Sequence, residues 1–275
     1  MGVDWAKLFR RSTPAPYEPY AEQQVYPIGA MMRHMAQIAP VDYGWYAFSR
    51  ELLRDKFTDD EKRVLMERAY RCGAEEAELL RASCGCSMDD VLTPARAAQH
   101  LGVEIRSEDA SPGGGQILFA TFTEPDLITV YRDAVRRGEA LMEDAEVAAA
   151  LPRLDITRIL LWHELFHAVE LQKKATIFTQ TEKIALWRGP IPNRSTIRCL
   201  GEIAAMQFAA AMEGLTYSPY CLDVLLVYGY DMRAASALFD EIREVLSHAE
   251  GMTEEDACLL YTSPSPRDRT RSRMP

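Results

Sequence analysis

The sequence predicts an α+β fold: a mostly helical domain with a small antiparallel sheet packed beside one central helix. Three stretches carry that expectation. Asp155 can cap a helix whose body, Ile156-Thr157-Arg158-Ile159-Leu160-Leu161-Trp162, runs on without Gly or Pro towards Lys173-Lys174. Leu160, Leu161, Leu165, Phe166, Ala168, Val169 and Leu171 make it apolar on nearly every side, which suits the middle of a domain. A second helix spans about Ser195 to Met212 and is closed by Gly214, with Ala205 and Ala209 as a small face for close packing. The sheet comes from Gln116-Ile117-Leu118-Phe119-Ala120-Thr121-Phe122 and Leu127-Ile128-Thr129-Val130-Tyr131-Arg132, joined at Thr123-Glu124-Pro125-Asp126. An exposed edge of that hairpin would align an extended peptide by main-chain hydrogen bonds.

The central helix carries His163-Glu164-Leu165-Phe166-His167. Positions four apart lie on one helical face, so the two imidazoles can grip one metal ion. Glu164 is rotated about 100° from His163, out of the ligand set but beside the position of a water. That is the donor pattern of zinc hydrolysis, and Zn2+ is the expected cofactor. Two buried histidines on an apolar helix need partners, and a metal supplies one for both.

An open zinc site requires a third protein ligand. Glu170 shares the histidine face but lies a turn further along the axis, and position 173 is Lys rather than a third His. Glu202 is the better candidate: a lone carboxylate among Ile203, Ala204, Ala205 and Met206 is costly to bury unless paired or metal-bound. Its alternative partner is Arg198, four residues earlier on the same face.

The pairing of His163-Glu164-Leu165-Phe166-His167 with Glu202-Ile203-Ala204-Ala205-Met206-Gln207-Phe208-Ala209 resembles the ImmA/IrrE family of gluzincin-type metallopeptidases. Ala97-Ala98-Gln99-His100-Leu101-Gly102-Val103-Glu104-Ile105 is similar to the helix and strand that open the family's domain, so the resemblance covers about residues 70 to 245. It implies a zincin-like fold, zinc on His163, His167 and Glu202, and Glu164 as the catalytic acid/base. It also implies a protein or peptide substrate, with a repressor-like regulator as one candidate. Two departures bear on the substrate. Phe166 stands where the family has Gly, making the wall beside the metal bulkier, and the stretch 173–194, with Gly189-Pro190-Ile191-Pro192, is long and reads as a loop flanking a cleft.

In the resulting mechanism Glu164 takes a proton from zinc-activated water and returns it to the leaving amine. Tyr217, Tyr220, Tyr228, Tyr230, Arg198 and His248 are candidate oxyanion donors. A zinc-binding scaffold without turnover and a zinc hydrolase of non-peptide substrates are the alternatives.

The rest of the chain bounds this reading. Hydrophobic residues at 48 % and charged at 26 % are ordinary globular values, and a net charge of −10 argues against direct nucleic-acid binding. Neither a membrane span nor a secretion leader is expected, which points to a cytoplasmic protein. Cys72, Cys84, Cys86, Cys199, Cys221 and Cys258 form no paired CxxC set and read as reduced thiols, with a metal site at the first three as a minor alternative. Residues 1–40 read as an irregular extension, 41–92 as a helical region, with helices over Tyr46–Phe57 and from Asp59 or Asp60, and 93–250 as the metallopeptidase domain. Ser111-Pro112-Gly113-Gly114-Gly115 reads as a flexible joint. Residues 258–275 resemble a translated sequencing adapter and are set aside as a non-native tail.

Overall fold

A computed structural model describes residues 20, 23–86, 90–109, 118–186 and 193–250, with side chains through 247. The joint at 111–115, the Gly189–Pro192 loop, Cys258 and the adapter-like tail lie outside these residues.

Helix α1 (Ile28–Met35) occupies a stretch expected to be irregular. Burial decides this: Met31, Met32 and Met35 are fully enclosed, so tertiary packing stabilises a short helix that propensity alone would not. Helix α2 (Tyr43–Ser49) is shorter than the expected Tyr46–Phe57 and is followed by a 3-10 turn at Arg54–Lys56. The chain leaves the helix where Glu51 turns its carboxylate inward to accept the Leu53 amide at 3.1 Å. Helix α3 (Asp59–Ser83) is capped by Thr58, not by Asp59 or Asp60. Thr58 and Glu61 exchange hydrogen bonds in a capping box, which satisfies two amides where a lone Asp would satisfy one. Helix α4 (Pro94–Leu101) starts at Thr93-Pro94 and ends at Gly102, whose φ of 70° is the left-handed conformation that closes a helix.

The strands β1 (Glu104–Glu108), β2 (Ala120–Thr123) and β3 (Leu127–Tyr131) form one sheet in the order β1-β3-β2. β2 and β3 make the expected hairpin, with Ala120 opposite Val130 and Phe122 opposite Ile128. The sheet is nevertheless mixed rather than antiparallel, because β1 adds to the other side of β3 in parallel, Ile105 opposite Ile128. Ile128 and Val130 are buried, and a bare hairpin would leave their strand with an open edge; β1 closes it. Among the described residues β1 and β2 are the two edges of this sheet.

Helices α5 (Arg132–Leu141) and α6 (Ala145–Ala150) lead into α7 (Ile156–Gln172). Asp155 caps α7 as expected, its Oδ1 accepting from the Arg158 amide at 2.9 Å. Every residue from Trp162 to Glu170 is buried, so this is the central helix. Helix α8 (Phe178–Thr181) and a second hairpin, β4 (Lys183–Ala185) with β5 (Arg194–Thr196), fill the long connection. Helix α9 (Arg198–Glu213) ends at Gly214 with φ 63°, and α10 (Cys221–Tyr228) and α11 (Met232–Glu250) complete the fold. The result is α+β, and a single apolar core runs from Ile28 to Leu246. No described helix is long and apolar enough to cross a membrane.

Helices α7 and α9 pack antiparallel. Glu213, at the end of α9, accepts from Arg158 Nε at 2.9 Å and from Trp162 Nε1 at 2.5 Å near the start of α7, while Phe166 meets Phe208 at 5.5 Å between ring centroids. On its other side α9 is covered by α3, and the helices touch backbone to backbone at Gly73. A Cβ there would lie 2.1 Å from the Ala204 carbonyl oxygen. Gly73→Ala must therefore push α3 off α9, at a cost of about 1–3 kcal/mol. Urea unfolding measures it, and a midpoint equal to wild type would show that the helices have slack.

Candidate metal centre

The helical repeat places His163 and His167 on one face of α7, and both rings are buried, 6 % and 7 % exposed. Their Nε2 atoms lie 3.3 Å apart. From α9, Glu202, 8 % exposed, brings Oε2 to 3.5 Å from His163 Nε2. One ligand atom from each of these three residues falls within 4.8 Å of the others, and they are the only such group of His, Cys, Asp or Glu among the described residues. The alternative site at Cys72, Cys84 and Cys86 does not form, and the five described cysteines are free thiols.

These separations fit a metal. Two ligands each about 2.0–2.1 Å from a tetrahedral zinc stand about 3.3–3.4 Å apart, close to both short distances here. Glu202 Oε2 has no hydrogen-bond partner despite its burial. An unpartnered buried carboxylate oxygen is what a cation would satisfy. Arg198 is exposed on the surface of the same helix, so the alternative pairing of Glu202 with Arg198 is not the one adopted.

Glu170 stands behind the centre. Its Oε2 lies 3.4 Å from His167 Nδ1, and the Thr179 hydroxyl donates to its Oε1. A carboxylate on the far nitrogen turns the ring and leaves Nε2 to face the centre. The carboxylate lies against Gly201, where a Cβ would meet Glu170 Oε1 at 2.9 Å. The residue before the third ligand is thus small for a spatial reason.

The electrostatics call for a positive charge. Burial pushes the Glu202 carboxyl well up from its ordinary range, and raises Glu164 to about 7 against the pull of the His167 ring and the Phe122 backbone amide. Burial also drives His163 well down. His167 alone goes the other way: burial opposes its charge, but the hydrogen bond it donates to Glu170 and the charges of Glu202, Glu170 and Glu164 outweigh it and carry it up to about 9. In the metal-free cluster these carboxylates favour a proton on His167, with which a divalent cation would compete.

Glu164 Oε2 is buried without a partner and lines a cleft of about 60 Å³. Leu118, Phe119 and Ala120, leading into edge strand β2, form one wall; Ile159, Leu160, His163 and Glu164 of α7 form the other. Met206, Pro219, Leu222, Asp223 and Leu226 close it. Phe166 is not among these residues. Fully buried, it packs against Phe208 in the α7–α9 interface and edge-on to the His167 ring, 6.0 Å between centroids.

Of the candidate oxyanion donors, Tyr217 donates to the Pro152 carbonyl and Tyr230 to Asp133. Arg198 is exposed, and the His248 side chain lies outside the described residues. Tyr220 keeps a buried hydroxyl without a hydrogen-bond partner, and Glu202 adds to burial in raising its pKa.

Sequence reasoning missed Glu51, Thr179 and Gly201. Helix α9 has no side-chain cap of its own, since its N-cap is Ile197. Glu51, only 4 % exposed, supplies one across 148 residues by accepting the Cys199 amide at 3.1 Å, three positions before Glu202. No local pattern announces such a cap.

Comparison with family models, curated proteins and solved structures finds no match to this chain.

Two outcomes are expected. Zn2+ added to metal-free protein raises the unfolding temperature, with about 4 kcal/mol of stabilisation at a thousandfold excess over Kd, and EDTA reverses it. Glu202→Ala removes the effect; an equal shift in that variant would remove Glu202 from the ligand set. Glu51→Ala lowers stability by roughly 1.5–3 kcal/mol, because two backbone amides lose a charged acceptor, and Glu51→Gln recovers part of it. Denaturant titration checks this, and equal stability of all three proteins would refute the cap.

Proposed function

We propose that this protein is a zinc-dependent metallopeptidase that hydrolyses a peptide bond with Glu164 as general acid/base. The observation that carries the reading is the gathering of His163, His167 and Glu202 around one point, with a second carboxylate, Glu164, whose Oε2 has no hydrogen-bond partner, lining the adjoining cleft. Zn2+ bound by the three ligands would supply a Lewis acid that acidifies water and polarises a carbonyl.

The chain's own residues do the rest. With a metal in place of the proton on His167, His163 and His167 would present neutral Nε2 atoms, with Glu170 and Thr179 fixing the second ring. Glu164, raised towards neutrality by burial, is suited to accept a proton at its carboxylate and deliver it to the departing amine. The apolar walls keep bulk water from the proton path. An extended substrate chain would lie along the β2 edge, pairing its backbone with the free side of that strand. The ImmA/IrrE resemblance supports the same reading and adds a regulatory, repressor-like protein as the substrate to test first.

Glu164→Gln discriminates between turnover and mere binding. The variant keeps one zinc per chain by atomic absorption and loses about 10²–10⁴ in peptide hydrolysis. Unchanged hydrolysis would remove Glu164 from the base role. Absence of stoichiometric zinc in wild type would end the metallopeptidase reading.

A further inference from the structure

We infer that the cleft selects substrates bearing a cationic group, an ammonium or guanidinium on an apolar stem, which Asp223 of α10 recognises. This rests on the reading of the cleft as a peptidase site and names the substrate class for it.

Most of the cleft is hydrocarbon. Beyond Glu164 and the His163 ring, its walls are Leu118, Phe119, Leu160, Met206, Leu222 and Leu226, with smaller apolar contributions. Among the described residues Asp223 is the single charged lining residue outside the metal centre. A carboxylate at an apolar wall loses hydration, and that loss must be met by hydrogen bonds or by an opposite charge. The protein meets it only in part. The Tyr46 hydroxyl donates to Asp223 Oδ2 at 3.2 Å. Behind Tyr46 stands Arg50, its guanidinium 4.7 Å from the ring centroid, but that guanidinium also pairs with Glu241 at 3.3 Å. One positive side chain thus serves two carboxylates, and the trio of Arg50, Asp223 and Glu241 carries a net −1.

The imbalance extends towards the centre, where Asp223 also acts on Glu202 and Tyr220 as a like charge. Burial raises Asp223 to about 6, and Arg50 and the Tyr46 hydroxyl oppose that rise by favouring its charged form. A zinc ion would be engaged with its ligands and leave this charge unanswered. A substrate cation would answer it, while its methylene stem covers the leucine and methionine walls as lysine and arginine stems cover apolar surface elsewhere. An anionic group would meet Asp223 and Glu164 together and be repelled. Two sources offer the required chemistry: a Lys or Arg side chain within a polypeptide, or the free amino terminus of the substrate.

The test separates both sources, and also separates this inference from the peptidase reading. Zinc-loaded Glu164→Gln protein is titrated by fluorescence anisotropy with peptides in which each position in turn carries Lys, Arg, norleucine or Glu, with acetylated and free N-termini. Tighter binding of Lys or Arg than of norleucine, by tenfold or more at one position in acetylated peptides, assigns the site to a side chain. The same preference for free over acetylated ends assigns it to the terminus. Adding Asp223→Asn should bring that ratio to within about twofold of one.

Equal binding of cationic and neutral peptides would overturn the inference, as would a preference that survives Asp223→Asn. If that variant does not fold, as judged by zinc stoichiometry and thermal unfolding, the ratio in the Asp223-intact protein decides alone. A clear cation preference in binding together with no hydrolysis by wild type would sink the peptidase reading and leave the recognition of a cation standing.

Discussion

The antiparallel contact of α7 with α9 is the constraint on which the rest of this molecule depends. Two residues on one helix can be aligned by the helical repeat, but the third ligand must be delivered from elsewhere, and only the relative register of two helices can do that. Glu213 sets the register at one end, joined to Arg158 and Trp162. Phe166 against Phe208 fills the middle, and the absence of a side chain at Gly201 admits the Glu170 carboxylate at the other end. A slip of one residue along α9 would turn Glu202 by about 100° and break the cluster. The surroundings hold α9 on its remaining sides: α3 presses on it through Gly73, and Glu51 anchors its first turn.

How much of this could be read from the chain follows the range of the interaction. His163, Glu164 and His167 were legible because helical periodicity is a local rule, and Asp155 as the cap of α7 for the same reason. Glu202 was legible by a different logic: a carboxylate on an apolar helix needs a partner, so the residue type signalled a tertiary event without specifying it. Glu51 gave no such signal, for it lies in a polar stretch and its partner amide is 148 residues away. Glu170 looked like a ligand out of reach, and its distance along the axis instead makes it the support of His167. The strand β1 could be sensed, but not its direction, because parallel pairing across an intervening segment leaves no alternation to read.

Phe166 shows what pattern reasoning leaves open. By comparison with the ImmA/IrrE pattern, a bulky residue at that position promised a bulkier wall beside the metal, and its ring does lie edge-on to His167. The position points between the helices, so the added volume goes into the core, where it meets Phe208. Opposite the motif helix the cleft is shaped by segments that carry no motif: the lead into β2, and the turn and first residues of α10 around Pro219 and Leu222. The shape of the cleft is therefore written in residues that only the fold brings together. The ends of α2 follow the same rule, since its termination reflects the call on Glu51 by a distant helix rather than any breaker in its own sequence.

The arrangement also bears on whether a bound zinc would be structural or reactive. A structural zinc site is closed by four protein ligands, whereas a reactive one leaves a position open. Among the described residues the candidate group comprises three side chains, and no cysteine or further histidine joins it. The residue that stands at the fourth side is Glu164, which is separated from the ligand face by the helical rotation, buried, and without a hydrogen-bond partner at Oε2. Burying that carboxylate costs stability, a cost that a neutral glutamine would reduce. Its retention at the mouth of a cleft is explained if it handles a proton. The same reasoning applies to Glu202, whose burial is unfavourable in the metal-free protein and becomes favourable once a cation is shared with the two imidazoles. Two separate stability costs, on two helices, thus point to one chemical use.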